Sequence, residues 1–89
     1  MISKIIDLLK QNKYTISELS KLLDISEKQV VYYIERIIFI SKKKDWELII
    51  YPAICKKCGY IFKENLHPSK CPKCKSEWIK EAIFEIREQ

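Results

Sequence analysis

Four cysteines in two close pairs constrain this 89-residue chain more than any other feature. The pairs are Cys55 with Cys58 and Cys71 with Cys74, in the pattern C-x2-C-x12-C-P-x-C. Each pair can form a tight turn that points two thiolates at one ion, and four sulfurs around one centre suit zinc or a single iron. The only glycine, Gly59, follows the second sulfur, where such a turn favours a left-handed backbone. The sequence therefore predicts one tetrathiolate metal site.

The N-terminal segment argues against the alternative, which is that the cysteines form two disulfide bonds. Charged side chains interrupt residues 1–10, and no small-residue cleavage site follows, so we expect no secretory signal. No stretch reaches the roughly 18 apolar residues needed to cross a bilayer. We therefore expect a cytoplasmic protein with no membrane partner, in a reducing compartment where paired cysteines more often bind metal than cross-link. A structural metal would also compensate for the small core of so short a chain.

The net charge of +5 is concentrated around the cysteines. Residues 51–75 contain six lysines and one glutamate. Four thiolates with one divalent ion carry a net negative charge, which lowers the charge of this segment from +5 to about +3. Some of the lysines thus offset the charge of the metal site itself, and basicity alone is weak evidence for nucleic-acid binding.

Residues 2–38 have the pattern of three short helices. We expect Ser3 to cap the first helix, which ends near Gln11. The second and third helices each begin with a capping box, in which the side chains of the first and fourth residues accept from each other's free backbone N–H groups. The two boxes are Thr15-Ile16-Ser17-Glu18 and Ser26-Glu27-Lys28-Gln29. Because only a short turn at Asp24 joins the two helices, they predict helix-turn-helix geometry, with an ordinary helical hairpin as the alternative.

The third helix is expected to have a buried and an exposed face. Its apolar residues recur at helical spacing and face inward: Val30, Ile34, Ile37 and Ile38. The side chains expected to face outward are Lys28, Gln29, Tyr32 and Arg36. Such side chains can read the major groove, with Arg or Lys on guanine, Gln on adenine and Tyr on phosphate or a thymine methyl. This face predicts binding of double-stranded DNA, with solvated polar surface as the alternative.

Two β-rich runs follow, at residues 38–41 and 46–51, and predict a β-hairpin. Its tip would be the charged link formed by Lys42, Lys43 and Lys44 with Asp45. A hairpin directly after a reading helix is the wing of a winged helix, so these lysines are expected to contact the DNA backbone. A role in solubility alone is the alternative.

Two motifs around the cysteines resemble those of a known family. They are Leu48-x-Ile50-x-Pro52-Ala53-x-Cys55-x-x-Cys58-Gly59 and Pro68-Ser69-Lys70-Cys71-Pro72-Lys73-Cys74-Lys75-Ser76-Glu77-Trp78-Ile79. With the helix-turn-helix pattern from Thr15 to Ile34, the chain is similar to small archaeal winged helix-turn-helix transcription regulators that carry a rubredoxin-like zinc ribbon inserted in the wing.

The resemblance implies an α+β fold in three parts. These are a three-helix winged helix-turn-helix at residues 1–51, a zinc ribbon inserted in the β-hairpin wing at 52–78 and a returning strand of the wing sheet at 79–89. It also implies one structural Zn²⁺ and a sequence-specific, DNA-binding role in transcription regulation. The residues themselves leave the last part open, because Trp78, Ala82 and Ile86 recur at helical spacing whereas residues 83–87 alternate as in a strand.

Two other functions are left open by the sequence. The segment from Cys58 to Cys74 is also similar to the iron-binding tail of rubrerythrins, which implies one iron and an electron-transfer or redox-sensing role. A zinc ribbon can also serve as an adaptor that binds a protein partner such as the transcription machinery. An enzyme is not expected, because four cysteines fill the coordination shell that a catalytic zinc leaves open. His67 is expected to be a surface residue, and both a monomer and a homodimer remain open.

Overall fold

The computed structural model describes residues 1–88, which form a mixed α+β fold of three helices and two antiparallel sheets. The helices are α1 (Ile2–Gln11), α2 (Ile16–Leu23) and α3 (Glu27–Ser41). The strands are β1 (Tyr14–Thr15), β2 (Trp46–Tyr51), β3 (Ala53–Cys55), β4 (Ile61–Phe62), β5 (Ile79–Lys80) and β6 (Ile83–Glu88). The predicted α+β class is confirmed. Position 89 of the predicted returning strand lies outside the described residues.

Both predicted capping boxes are present. The Thr15 hydroxyl accepts from the N–H of Glu18 at 3.2 Å, and the Glu18 carboxylate accepts from the N–H of Thr15 at 2.8 Å. Ser26 and Gln29 make the same reciprocal pair, with both distances 3.1 Å. Between the boxes, Asp24 turns the chain in a left-handed conformation with φ of 54°, which a short polar side chain tolerates. The predicted starts of α2 and α3 are therefore confirmed.

The start of α1 differs from the prediction. Its N-cap is Met1, and no side chain caps the helix, so the expected cap at Ser3 is wrong. Ser3 lies inside the first turn, one position beyond the first helical residue. The helix ends at Gln11 as expected, and it buries Ile5 and Leu9 against the core. No helix within residues 1–88 combines the length and the apolar character needed to cross a membrane.

The end of α3 corrects the predicted hairpin. Residues 38–41 form the last turn of the helix rather than a strand, and Ile38 and Ile40 pack partly buried against the core. This packing outweighs the β propensity of isoleucine and phenylalanine. The Ser41 hydroxyl donates to the carbonyl of Ile38 at 2.8 Å, which satisfies an acceptor at the helix end. The three lysines 42–44 consequently join a helix to a strand, so their predicted place at a hairpin tip is wrong.

The larger sheet has the strand order β1-β6-β2. β6 lies in the centre, antiparallel to both neighbours, and pairs with β2 from Trp46 opposite Glu88 to Tyr51 opposite Ile83. The alternation in β6 directs Phe84 and Ile86 into the core. Residues 83–88 therefore form a strand, and the helical alternative for this segment is not realised.

The segment between β2 and β6, which we call the ribbon, forms the smaller sheet with the order β4-β3-β5. Ala53 of β3 pairs with Phe62 of β4, and Ile54 pairs with Lys80 of β5. The ribbon does not stand apart from the helices, because one cluster of buried residues includes Ala53 and Phe62 together with the cores of all three helices. Leu66, in the loop after β4, is partly buried against this cluster.

Candidate functional site

The four cysteines converge at one end of the ribbon. Their sulfur atoms all lie within 4.8 Å of one another, with Sγ distances of 3.5 Å between Cys55 and Cys74 and 3.6 Å between Cys58 and Cys71. Tetrahedral metal–sulfur bonds of about 2.3 Å set sulfurs about 3.8 Å apart, close to these values. Disulfide sulfurs would lie about 2.05 Å apart, so the cysteines are not cross-linked. The predicted ligands are thus brought together as one tetrathiolate site.

The two buried sulfurs are poised to carry negative charge. The N–H of Cys58 points at the sulfur of Cys55 and lowers the pKa of that thiol to about 6, against the opposing effect of burial. Burial raises the pKa of the Cys71 thiol, but the N–H groups of Cys74 and Lys73 outweigh it and leave the pKa below its usual value. Backbone donors in each turn therefore stabilise one thiolate, as a metal ligand requires.

Cys58, the exposed residue among the four cysteines, behaves in the opposite way. The N–H of Tyr60 lowers its pKa, but loss of solvent and the three neighbouring sulfurs raise the pKa of Cys58 to about 11. Four sulfurs this close cannot all ionise unless a cation offsets their mutual repulsion. A bound divalent ion supplies that positive charge, so the donor set fits a metal that prefers thiolate ligands.

The aromatic side chains of the ribbon differ in their exposure. Phe62 is buried, and Tyr60 packs edge-on against it with ring centroids 5.0 Å apart. Trp78 is largely exposed, with the Nζ of Lys56 lying 5.6 Å from its ring centroid. Because Cys58 is exposed as well, one side of the tetrathiolate site faces solvent.

The residues predicted to read DNA lie together on the exposed face of α3. We call this set the α3 face, and all its members are exposed: Lys28, Gln29, Tyr32 and Arg36. The Oε1 of Gln29 already accepts from the N–H of Ser26, so only its amide N–H groups are free for another partner. Arg36 donates to the hydroxyl of Tyr32 at 3.4 Å, and its guanidinium carbon lies 5.8 Å from the centroid of the Tyr32 ring. These two side chains therefore form a pair.

The lysine run Lys42–Lys44 lies in the turn at the C-terminal end of α3. At the helical rise of 1.5 Å per residue, Lys42 lies about 21 Å along the axis from Lys28. Lys43 covers the exposed ring of Phe39, with its Nζ 5.7 Å from the centroid. Within residues 1–88, no cation of the α3 face or of the lysine run forms an ion pair. Basic side chains therefore lie near the start, in the middle and just after the end of this helix, with Glu27 and Glu35 among them.

A second cluster of potential ligands was missed by the sequence reasoning. His67 was expected at the surface, but its side chain is only 27% exposed and lies between Glu27 and Glu81. The three residues are far apart in the chain and share no motif, so nothing local in the sequence predicts their contact. Only the docking of the ribbon loop beside the start of α3 brings them together.

Comparison with known proteins identifies the ribbon and the whole fold. Residues 52–89 match the PF0610 rubredoxin-like zinc β-ribbon domain. The solution NMR structure of protein PF0610 from Pyrococcus furiosus is similar to this chain, with a TM-score of 0.82 and 42% sequence identity. That match covers 99% of this chain and 89% of the other. No curated protein matches the chain. The predicted rubredoxin-like zinc ribbon is confirmed.

Proposed function

This chain belongs to the PF0610 family of proteins with a rubredoxin-like zinc β-ribbon, and we propose that it binds double-stranded DNA sequence-specifically and regulates transcription. In this proposal α2 and α3 act as a helix-turn-helix, and β2 and β6 act as a wing that carries the ribbon. The α3 face is the observation that supports the proposal most directly.

The orientation of the α3 face is set by packing. Val30 and Ile34 on the opposite side of the helix are fully buried, so the exposed side cannot rotate toward the core. An α-helix with its side chains is about 10–12 Å across, which matches a major groove about 12 Å wide. In such a groove Lys28 and Arg36 would contact guanine or phosphate, and Tyr32 would contact phosphate or a thymine methyl.

The unpaired cations of this surface favour an anionic partner. Lys28 lies near the start of α3, and Lys42–Lys44 follow its end. Cations without carboxylate partners have no ion pair to break when they bind phosphate. Their binding also releases the counterions of DNA, which stabilises the complex. Glu27 and Glu35 on neighbouring positions would repel phosphate and weaken non-specific binding.

The metal has a structural role in this proposal. Four cysteines complete the shell of one Zn²⁺ and leave no position for a substrate, so the ion would hold the two turns together. The ribbon begins directly after β2 and ends directly before β6. An ordered ribbon would therefore keep the ends of both wing strands in place.

The test is selection of binding sites from random double-stranded DNA with anaerobically purified, metal-assayed protein. We expect an enriched sequence and an affinity that falls steeply with salt. Arg36→Gln should weaken binding to that sequence, whereas Lys4→Gln removes the same charge from α1 and should leave it unchanged. A selection that enriches no sequence would overturn the proposal and favour the adaptor role. A palindromic sequence would indicate binding as a homodimer.

Electron transfer by a single iron is the second candidate. It is supported by the exposure of Cys58, because an exposed ligand residue allows a redox partner to approach the metal closely. The colour of the anaerobically purified protein separates the two metals. Oxidised iron protein should be red, and zinc protein should be colourless.

A further inference from the structure

Three potential ligands from separate segments meet beside the N-terminus of α3. Glu27 is the first residue of α3, His67 lies in the loop between β4 and β5, and Glu81 lies between β5 and β6. The Nε2 of His67 lies 3.4 Å from Glu27, and its Nδ1 lies 3.7 Å from Glu81. One ligand atom of each residue lies within 4.8 Å of the other two. This is the spacing of side chains around one ion.

The cluster has more negative charge than its own cations offset. Within residues 1–88, no lysine or arginine lies within 4.0 Å of Glu27 or Glu81. His67 is the only base that contacts them, and a neutral imidazole has one N–H, which can serve only one carboxylate. Two carboxylates held together without a lysine or arginine favour a bound cation.

The hydroxyl of Ser17 on α2 lies between the two carboxylates. Its hydroxyl oxygen lies 2.8 Å from Glu27 and 2.6 Å from Glu81, yet it has only one hydrogen to donate. The Ser17 hydrogen bond lowers the pKa of Glu27 and favours the carboxylate form that binds metal. An outer hydroxyl that orients ligating carboxylates is a common feature of metal sites.

We propose that Glu27, His67 and Glu81 form a second metal site, which binds one divalent transition-metal ion such as Zn²⁺. An imidazole nitrogen with carboxylate oxygens is a ligand set that zinc accepts, and water would complete the shell. Metal bonds of about 2.0–2.2 Å place neighbouring ligand atoms about 3.0–3.5 Å apart. Because the two carboxylates now face different ring nitrogens of His67, the ligand atoms, which lie within 4.8 Å of one another, would have to move closer together as the ion binds. The side chains of Glu27 and Glu81 are 48% and 36% exposed, which leaves them room to turn toward one ring nitrogen.

This ion would link the two halves of the protein. Glu27 belongs to the helical half, whereas His67 and Glu81 belong to the ribbon. Because the ligands come from both, the ion stabilises the docked position of the ribbon beside α3 in addition to the shared core. The site does not depend on whether the α3 face binds DNA.

The test starts from folded protein that has been assayed to contain one zinc per chain, and adds Zn²⁺ in a calorimetric titration at neutral pH. His67 is the only histidine, so the ¹⁵N shifts of its ring report this site without ambiguity. We expect a second zinc to bind, one ring nitrogen to shift as it coordinates, and the unfolding temperature to rise with zinc concentration. A chain that binds no second zinc would overturn the proposal.

Variants assign the site. His67→Gln and Glu81→Gln each remove a ligand and should lower the affinity for the second zinc by more than about tenfold. Ser17→Ala removes the outer hydroxyl and should lower that affinity by about tenfold. Glu64→Gln removes one charge from the same loop and should bind like the parent. Retention of the first zinc checks that each variant is folded. If a ligand variant does not fold, Ser17→Ala provides the test in its place. A second zinc bound equally well by His67→Gln and Ser17→Ala would place it elsewhere and contradict the proposal.

Discussion

Gly59 and Lys75 occupy equivalent positions in the two cysteine turns, and both have a left-handed backbone. Their φ angles are 80° and 62°. Gly59 donates its N–H to the carbonyl of Cys55 at 2.9 Å, and Lys75 donates to the carbonyl of Cys71 at 2.8 Å. The second turn thus adopts with a lysine the conformation that the first adopts with the only glycine of the chain.

This equivalence predicts opposite effects of two substitutions. Lys75→Gly relieves a left-handed conformation that costs an ordinary residue about 1–2 kcal/mol. The added freedom of the unfolded chain offsets about 0.4–1 kcal/mol of this, so we expect a net stabilisation of about 0.5 kcal/mol. Gly59→Ala should destabilise by about 1 kcal/mol for backbone reasons alone, because a Cβ there would meet nothing within 4 Å. Chemical denaturation of the zinc-loaded protein measures both.

Gly59→Asn is the matched control, since asparagine tolerates the left-handed region better than alanine and should cost less. If Lys75→Gly were as destabilising as Gly59→Ala, the side chain of Lys75 would contribute a contact that outweighs its backbone strain, and the equivalence would not govern stability.

The features that the sequence predicted well depend on residues close together in the chain. A capping box needs residues three positions apart, and each cysteine turn needs a short stretch around its two sulfurs. Thr15 with Glu18 and Ser26 with Gln29 were therefore recognisable before any fold was known. The approach of the two cysteine turns was predictable too, because only one metal shell can use all four sulfurs at once.

The features that were wrong or missed depend on distant partners. Residues 38–41 have β propensity, but the core that receives Ile38 and Ile40 makes them helical. The pairing of β2 with β6 was expected only from the family resemblance, as the returning strand of the wing sheet, because no local pattern links two strands that the whole ribbon separates. The position of His67 follows from the docking of the ribbon loop, which no local pattern encodes.

Gln29 caps α3 and, in the proposed function, also reads DNA, and substitution can separate these two roles. Its side-chain oxygen caps α3, and its amide N–H groups are free for DNA. Gln29→Glu keeps an acceptor for the Ser26 N–H, so the free energy of unfolding should stay close to that of the parent. DNA affinity should fall, because the change removes the donors and adds a negative charge. Gln29→Ala should lose affinity and also about 0.5–1 kcal/mol of stability. Thermal unfolding and DNA titration of both variants measure the two effects, and DNA binding by Gln29→Glu that equals the parent's would contradict a reading role.

The lysine run after α3 should set part of the salt dependence of DNA binding. Each phosphate contact contributes about 0.9 to the slope of log affinity against log salt, so changing Lys42, Lys43 and Lys44 to Gln should reduce the slope by up to about 2.7. Affinity for unrelated DNA should fall as well, since phosphate contacts carry no sequence information. The matched control changes Lys56, Lys57 and Lys73 on the ribbon to Gln and should keep the parent slope. An unchanged slope in the first variant would remove the lysine run from the DNA interface.

Metal affinity should rise with pH because the ion displaces thiol protons. Without an ion, the pKa of Cys58 is about 11 and that of Cys55 is about 6. Between these values Cys58 is protonated and Cys55 is ionised, so at least one proton leaves as the ion binds. Affinity should therefore increase about tenfold per pH unit for each proton displaced, and should fall more steeply below the pKa of Cys55 as that thiol protonates too.

Competition with a chelating indicator at several pH values, corrected for the protonation of the indicator, measures this slope. Cys58→Ser removes the thiol whose proton is displaced. The slope of log metal affinity against pH should therefore be smaller by about one in this variant. An affinity of the parent protein that does not change between neutral and alkaline pH would mean that all four sulfurs are ionised before the metal arrives.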